Sequence, residues 1–403
     1  MNDKNHPIVL FNKGTKYLKQ GNPHKALAYY KRALKLGDYK EAYLNIGNTY
    51  RLLRNLKDAK KSYKLAADTT VQYFDGSFGE YPQALCNLGL LTYAEGDDEG
   101  AIELYLRALE KDPMLFDAIW NYASAMLRQY YSGKDVDVSV AWRMYEYRFK
   151  RSSPTIIDRS FPLWDRHSTG KDICVLAEQG FGDKIMFGRY LPLLAKLFDN
   201  VYIQAHKSIA CFYSDYTVIE HSSECPPGTV GIPLCSLASV FQLMEPVSSN
   251  WLDGKFIAKE YDDKNFNIGV VWSGSTTHSN DYYRSCSVDY MRSLSKYGTL
   301  YSLNPDAPDC ARIISCGKPT WAETCSAVLG LDLVVTVDTS IVHLAGTLGV
   351  PCIMVQPLQE TDFRWGLGRR DTVWYPSVTV VENNNNWDEC FSKVRKIIDD
   401  KDY

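Results

Sequence analysis

The sequence predicts an α-helical solenoid followed by an α/β half with parallel sheets. Three observations predict this class. Small and aromatic residues recur near the N-terminus, short apolar runs alternate with helical stretches from Lys171 onward, and 403 residues are too many for one compact core. We expect a solenoid at residues 1–150, a linker at 151–170, and two α/β domains at 171–262 and 263–403.

The N-terminal repeat is defined by four classes of position. Gly14, Gly47 and Gly89 are each followed, at equal spacings, by an alanine, a tyrosine and a second alanine. This pattern is typical of tetratricopeptide repeats, because small residues let the two helices of a unit approach and aromatic residues fill the groove between them. A degenerate fourth unit is predicted, with one helix around Asn121 and a second at 141–149.

The net charge of −3 is distributed unevenly along the chain. Residues 1–67 hold 15 lysines and arginines against 4 acidic residues, whereas residues 68–150 hold 7 against 14. Five basic residues recur at three- and four-residue steps and are expected to form a stripe on one helical face: Arg51, Arg54, Lys57, Lys61 and Lys64. Such a face is either an ordinary solvated surface or a binding site for an anionic partner, namely an acidic protein, a polyanionic glycan or a nucleic acid.

Several protein classes are disfavoured. The N-terminus has no apolar leader, and no run of about 18 apolar residues predicts a membrane span. The 11 cysteines are dispersed without a Cys-x-x-Cys pair, which favours free thiols in a reducing cytoplasm (that of the host, if the protein is viral). Histidines and cysteines show no ligand spacing, so no metal site is expected.

The first candidate site is the turn Ala177-Glu-Gln-Gly-Phe-Gly-Asp183, which follows a predicted strand. Ligands bind at the carboxyl ends of strands in open parallel sheets. Gly180 and Gly182 would allow a substrate to approach the backbone, and Asp183 would be a general base. The alternative is that Asp183 only caps the helix that follows.

The second candidate site is Val337-Asp-Thr-Ser-Ile-Val-His-Leu-Ala-Gly346. The free N–H groups and hydroxyls at a helix start, here Asp338, Thr339 and Ser340, suit a phosphate or pyrophosphate. His343 lies one turn further and would donate to the same anion, with Gly346 beyond it. The alternative is a capped helix with a partly buried histidine.

Two further segments complete the candidate residues. A polar loop follows the strand that ends at Trp272; it contains Ser273 and Gly274, and its Arg284 would balance phosphate charge on a leaving group. Residues 362–376 are aromatic and basic, and they would either cover a nucleotide or sugar or pack between two domains.

The motifs in combination resemble the repeat-containing GT-B glycosyltransferases, relatives of the bacterial heptosyltransferases and, more distantly, of the O-linked N-acetylglucosamine transferases. The resemblance spans residues from about 10 to about 398. It is carried by the repeats and by Glu178-Gln-Gly-x-Gly-Asp183, Arg189-Tyr-Leu-Pro192, Asn280-Asp-x-x-Arg-Ser285, Val337-Asp-Thr-x-x-x-His-Leu-Ala-Gly346 and Trp374-Tyr-Pro376. It implies two Rossmann-like domains around a cleft, a nucleotide-sugar donor bound mainly by the C-terminal domain, no other cofactor and no obligatory metal.

The resemblance also implies residue roles. Asp183 matches the base of the heptosyltransferases; Thr339, Ser340 and His343 match the donor-phosphate motif; Arg284 matches the basic residue near the leaving group. The sequence departs from the family at Trp272-Ser-Gly-Ser-Thr, where Trp-x-Gly-Asn-Pro is frequent, and by one extra residue between Trp365 and Arg369. These departures concern the identity of the sugar more than the reaction class.

The expected function is therefore an inverting glycosyltransferase whose repeats present a macromolecular acceptor, protein or modified DNA, through the basic face of residues 1–67. Two alternatives stay open: a viral enzyme that glycosylates hydroxymethylated DNA bases, and a repeat scaffold without activity. An oxidoreductase is disfavoured, because neither glycine turn has the Gly-x-Gly-x-x-Gly spacing with an acidic residue about 20 positions on.

Overall fold

The computed structural model of the chain describes residues 6–36, 41–68, 71–72, 78–79, 81–155, 157, 161–241, 248–262, 264–276, 278, 280–305, 307, 312–317 and 319–403. The predicted fold class is confirmed, since helical repeats precede two parallel, Rossmann-like α/β sheets. The chain divides into two compact units, Met1–Met126 with Lys150–Ser153 and Leu127–Phe149 with Pro154–Tyr403.

The N-terminal half consists of antiparallel helix pairs joined by short turns. Its helices are α1 (Pro7–Lys19), α2 (Pro23–Leu36), α3 (Glu41–Leu52), α4 (Leu56–Ala67), α5 (Pro82–Ala94), α6 (Asp98–Lys111), α7 (Phe116–Tyr131) and α8 (Val138–Tyr145). A two-stranded antiparallel ribbon, β1 (Val71–Gln72) and β2 (Phe78–Gly79), lies between the second and third pairs, where the sequence places extra residues.

The glycines of the repeat pattern make room for the tyrosines, as the sequence predicts. A Cβ atom added to Gly14, Gly47 or Gly89 would lie within 3.0 Å of the tyrosine ring of the following helix. These tyrosines (Tyr30, Tyr63 and Tyr105) are fully buried, as are the alanines on either side of each. The repeat therefore reflects close packing of each helix pair.

The expected basic stripe is not on one helical face. Arg51 belongs to the last turn of α3, and Arg54 lies in the connecting turn with a left-handed φ of 57°. Only Lys57, Lys61 and Lys64 belong to α4. The short α3–α4 connection interrupts the three- and four-residue periodicity on which the prediction depends.

The first sheet of the α/β half has four parallel strands in the order β5-β4-β3-β6. The strands are β3 (Gly170–Leu176), β4 (Phe198–Gln204), β5 (Thr217–Ile219) and β6 (Val230–Pro233), and the helices are α9 (Phe181–Phe187), α10 (Leu191–Leu194) and α11 (Leu237–Phe241). The sequence predicts one helix over 184–198, which is wrong. α9 begins three residues earlier, and Pro192, which has no N–H to donate, lies in the first turn of the separate α10.

The second sheet has six parallel strands in the order β12-β11-β10-β7-β8-β9. They are β7 (Asn267–Val271), β8 (Thr299–Ser302), β9 (Ile313–Ser315), β10 (Leu333–Val337), β11 (Cys352–Pro357) and β12 (Val378–Asn383). The accompanying helices are α12 (Asp281–Arg284), α13 (Val288–Arg292), α14 (Trp321–Leu329), α15 (Ser340–Thr347) and α16 (Trp387–Asp400). Every residue of β7, β10 and β11 is buried, which explains their continuous apolar runs.

The parallel strands bring the candidate segments to the carboxyl ends of the sheets. The turn with Gly180 follows β3, the loop with Ser273 follows β7, and Asp338 follows β10. In the described part of the chain, no helix is both long and apolar enough to span a membrane. The ten described cysteines have free thiols, and Cys310 lies outside the described residues.

Candidate active site

The Asp183 carboxylate lies at the start of α9. The chain leaves β3 and turns through Gln179, whose φ is 68°, before α9 begins at Phe181. Asp183 is the third residue of the helix, and its Oδ2 accepts a hydrogen bond of 3.0 Å from the Gly180 N–H. The carboxylate therefore satisfies a free N–H of the helix start from inside the first turn, whereas the sequence suggested a position at the helix boundary.

The second oxygen of Asp183 forms an ion pair with Arg364, a residue that the sequence analysis did not single out. Arg364 Nη2 contacts Asp183 Oδ1, and Arg364 Nη1 lies 2.8 and 2.7 Å from the two oxygens of Asp362. Arg364 is only 8 % exposed. Burial acts to raise the pKa of Asp362, but Arg364 outweighs it and the pKa is lowered. One buried guanidinium thus binds two carboxylates that are themselves partly exposed.

Arg284 is held beside the β10–α15 turn. Its Nη1 donates to the Asp338 carbonyl oxygen at 2.9 Å, and its Nε donates to the Asp281 carboxylate at 3.2 Å. A Cβ atom added to Gly274 would overlap the guanidinium, so glycine is required there for close approach. Neighbouring Ser273 accepts a hydrogen bond of 3.1 Å from Asn304 Nδ2, which fixes the loop.

The Asp338 side chain links this turn to the segment that carries Arg364. Its Oδ1 accepts a hydrogen bond of 3.1 Å from Trp365 Nε1. Burial, together with the nearby Asp362 carboxylate, raises the pKa of Asp338 to about 6. Asp338 and Asp362 consequently form a carboxyl pair in which the first binds a proton far more readily than the second.

Thr339 and Ser340 lie where the sequence predicts an anion site. Thr339 caps α15: its Oγ1 accepts a hydrogen bond of 3.3 Å from the Ile341 N–H and lies 3.2 Å from Thr336 Oγ1. Its hydroxyl is therefore engaged by its own helix. Ser340 and the remaining N–H groups of the first turn of this eight-residue helix are the groups left for an anion.

His343 is buried rather than open to the turn. It is 7 % exposed, and its Nδ1 lies 3.0 Å from the Tyr375 hydroxyl. Burial, followed by the positive charge of Arg364, lowers its pKa to about 3, so the imidazole is neutral at physiological pH. Toward a phosphate it can act only as a neutral N–H donor.

The remaining glycines of the two turns serve packing. A Cβ atom added to Gly182 would lie 2.6 Å from His343 Cδ2, and one added to Gly346 would overlap the ring of Tyr375. Gly180 differs, because its added Cβ would meet only the Asp183 carboxylate, at 3.3 Å. Gly182 and Gly346 therefore let α9, α15 and Tyr375 approach one another.

Two motifs of the resemblance contact each other directly. Arg189 donates from Nη1 to the Trp374 carbonyl oxygen at 3.0 Å and from Nε to the Met186 carbonyl oxygen at 2.9 Å. Its guanidinium carbon lies 5.3 and 4.9 Å from the ring centres of Trp374 and Tyr375. This buried arginine fastens the segment after α9 to the segment before β12.

A second buried arginine supports the turn before α9. Arg148 Nη2 donates to Glu178 Oε1 at 3.0 Å, and Nη1 donates to Glu146 at 2.5 Å. Glu178 Oε1 also accepts from the Cys235 N–H at 3.1 Å. The first glutamate of the Glu-Gln-Gly motif is thereby fixed in the protein interior.

A small polar cavity lies at the carboxyl ends of β3, β4 and β5. Its volume is about 220 Å³, and the polar side chains among its lining residues are Glu178, Gln204, His206 and Glu220. In the part of the chain that the structure describes, no group of three or more histidines, cysteines and carboxylates is arranged to bind a metal ion.

The structure thus connects five of the residues selected from the sequence: Gly180, Asp183, Gly274, Arg284 and Asp338. One path runs from Gly180 and Asp183 through Arg364 to Asp362, and a second joins Gly274, Arg284, Asp338 and Trp365. Arg364 lies one residue before Trp365, so the two paths meet. Arg364 was missed because one arginine within the aromatic and basic segment 362–376 carries no signal of its own in a single sequence.

Comparisons with known proteins identify the repeats. Residues 7–37 and 40–69 each match a family model described as tetratricopeptide repeat. The chain therefore carries tetratricopeptide repeats near its N-terminus. A search of curated proteins found no significant match.

Several solved structures resemble part of the chain. MamA is 23 % identical, with 36 % of this chain and 77 % of that chain covered and a TM-score of 0.29. The first TPR domain of human RPAP3 is 26 % identical (30 % and 88 % covered, TM-score 0.26), and YrrB, described as a TPR protein with an unusual peptide-binding site, is 20 % identical (38 % and 82 % covered, TM-score 0.27). Scores this low establish no relationship in overall fold.

Proposed function

We propose that the chain is a nucleotide-sugar-dependent glycosyltransferase whose two sheets form a GT-B arrangement. The proposal depends on one observation. The buried Arg364 binds the Asp183 carboxylate at the start of α9, and the next residue, Trp365, donates a hydrogen bond to Asp338 beside the start of α15. A transferase needs a base for the acceptor and positive groups for the leaving diphosphate, and this cluster of residues contains both.

The donor diphosphate binds at the start of α15. The N–H groups of the first turn and the Ser340 hydroxyl donate hydrogen bonds to it, and Arg284, already fixed beside Asp338, supplies positive charge. Because Arg284 is oriented before the donor binds, little reorganisation is needed as charge develops on the leaving group. We propose that protein groups alone neutralise the charge of the leaving diphosphate. Transfer is therefore expected to persist in the presence of a metal chelator.

Asp183 is the general base. It removes the proton from an acceptor hydroxyl, the hydroxyl oxygen bonds to the anomeric carbon, and the bond from that carbon to the diphosphate oxygen breaks, with its electrons leaving on the diphosphate. A single displacement of this kind inverts the anomeric configuration. The hydrogen bond from the Gly180 N–H orients the carboxylate throughout.

Arg364 controls when Asp183 is available. Its guanidinium binds the same oxygen, Oδ1, that would accept the proton. A donor phosphate competes for the guanidinium, because phosphate oxygens are strong acceptors for arginine, and thereby frees Oδ1. The donor is then expected to bind before the acceptor.

The acceptor hydroxyl enters from the four-stranded sheet. The polar cavity that Glu178 and Gln204 help to line adjoins the turn that leads to Asp183, and its carboxylates and amide can accept hydrogen bonds from hydroxyl groups. The repeats present the remainder of a macromolecular acceptor. The free thiols fit a reducing compartment, and we place the reaction in the cytoplasm.

Thermal unfolding in the presence of nucleoside diphosphates tests the proposal. A ligand that binds only the native state raises the melting temperature, so uridine or guanosine diphosphate is expected to do so at concentrations well above Kd, and adenosine monophosphate much less. The corresponding sugar donors are then screened by mass spectrometry for transfer to protein and modified-DNA acceptors. Absence of any shift with every diphosphate would instead favour the repeat scaffold without activity.

A further inference from the structure

The second helix of the second repeat bears a basic surface cavity. Its volume is about 540 Å³, and we call it the lysine cavity after its lining residues: Lys57, Lys60, Lys61, Lys64, Leu65 and Glu95. Four of these six residues are lysines of α4. The cavity lies wholly within the first compact unit and is separate from the candidate active site.

Three ammonium groups of the lysine cavity are available to a ligand. Lys60 forms an ion pair with Glu95. The other three, Lys57, Lys61 and Lys64, are exposed and have no ion pair with any residue that the structure describes. At 1.5 Å per residue they span about 10 Å of the helix. The cavity therefore presents a short row of unneutralised positive charge.

An apolar contact accompanies this charge. Leu65 is 41 % exposed at the edge of the lysine cavity, directly after Lys64. The stems of the lysines add further apolar surface, since their methylene groups line the cavity while the ammonium groups remain in water. A ligand that carries only charge would leave this apolar surface uncovered.

We infer that the lysine cavity binds an acidic peptide segment that also carries an apolar side chain. Duplex DNA has one charge per about 1.7 Å, so a 10 Å stretch carries about six charges and three ammonium groups would match only about half of them. Glu95 lies in the same cavity, and residues 68–150 hold twice as many acidic as basic residues, which would repel a duplex along the solenoid. A short acidic peptide, in contrast, can be neutralised by the three exposed lysines of the lysine cavity alone.

This binding goes beyond the proposed transfer reaction and does not depend on it. It is therefore measured directly, with the full chain and no donor present. The probe is a short fluorescent peptide that alternates glutamate with leucine, and its matched control has glutamine in place of each glutamate. Fluorescence anisotropy gives the Kd of each.

The test variant is Lys57→Gln/Lys61→Gln/Lys64→Gln, which removes three exposed charges from the lysine cavity. The matched variant, Lys16→Gln/Lys19→Gln/Lys35→Gln, removes three exposed charges from α1 and α2. The first is expected to weaken binding of the acidic peptide at least tenfold, and the second less than twofold. Melting temperatures verify that both variants fold.

Three results would overturn the inference. Equal weakening in both triple variants would show that overall charge, and not the lysine cavity, attracts the peptide. Tighter binding of a DNA duplex than of the peptide, lost in the lysine-cavity variant, would identify a nucleic-acid partner instead. Equal binding of the glutamate and glutamine peptides would also exclude an acidic ligand.

Discussion

At the scale of single residues, Arg364 is the buried positive charge that links the carboxylates of the candidate site. It lies between Asp183 and Asp362, and it also acts electrostatically on Asp338 and His343. Without it, several carboxyl groups would share a buried region with no compensating charge beside Asp183. The residue therefore contributes to stability and holds the carboxylate of the proposed base in place.

Replacement of Arg364 by glutamine is expected to destabilise the protein by about 1.5–3 kcal/mol, because two partly exposed carboxylates lose their charged hydrogen-bond partner. Urea unfolding measures the change. The matched control is Arg369→Gln, which breaks the more exposed pair with Asp371 and is expected to cost about 1 kcal/mol or less.

The double variant Arg364→Gln/Asp362→Asn shows how much of the lost stability comes from the unpaired carboxylate and how much from the lost packing of the arginine side chain. It removes a carboxylate together with the arginine and is expected to regain part of the lost stability while remaining deficient in transfer. A double variant as unstable as Arg364→Gln alone would contradict the role assigned to the ion pair.

Two buried groups of the site respond to acid in opposite directions. The pKa of His343 is lowered to about 3, so its contribution to stability is complete above pH 6.5 and is lost as the pH falls toward 3. The pKa of Asp338 is raised to about 6, so its contribution is complete below pH 3.8 and is lost as the pH rises through 6. Between pH 4 and 6 the two effects oppose each other.

Single variants should separate these effects. We expect His343→Phe to remove the acid-induced loss of stability between pH 6 and 4, and Asp338→Asn to make that loss steeper, each by up to about 1.4 kcal/mol per pH unit. Urea unfolding at several pH values measures both slopes. Slopes that change in the same direction in both variants would contradict the assigned pKa shifts.

At the scale of elements, the contact between α9 and α15 is made possible by Gly182. His343 of α15 lies over the position that a side chain at residue 182 would occupy. The sequence suggested that both glycines of the first turn admit a substrate. The structure gives Gly182 a packing role and leaves only Gly180 facing the Asp183 carboxylate.

Substitution of the two glycines by alanine distinguishes these roles. Gly182→Ala is expected to lower the free energy of unfolding by about 1–3 kcal/mol, because the new methyl group overlaps the His343 ring. Gly180→Ala is the control and is expected to cost less than about 1 kcal/mol. A tolerated Gly182→Ala with unchanged stability would show that His343 moves freely, contrary to its buried hydrogen bond with Tyr375.

At the scale of the whole molecule, periodic features could be predicted and non-periodic ones could not. The repeat glycines and the apolar strands carry the signal in their own spacing. The sequence therefore predicts the fold class, and its apolar runs at 332–337 and 352–356 predict strands that agree with β10 and β11 to within one residue. The break after Phe187 was missed because the apolar pattern continues through Pro192. The Asp183–Arg364 pair was missed because residues 181 positions apart meet only through tertiary packing.

The composition illustrates the same limit. The counts show that residues 1–67 are basic, but only the structure shows that Lys57, Lys61 and Lys64 share α4 while Arg51 and Arg54 do not. Local charge therefore becomes meaningful only when the turns between helices are located. Once the α3–α4 turn is located, the continuous positive surface expected from the sequence becomes one short row of lysines on α4.

Asp183 is the proposed base of the transfer reaction. The most direct test is Asp183→Asn, which keeps the size of the side chain and removes its ability to accept a proton. With a donor and acceptor identified by the screen, we expect the transfer rate to fall at least about 100-fold while the Kd for the nucleoside diphosphate changes less than about threefold. Transfer at the wild-type rate by this variant would show that Asp183 is not the base.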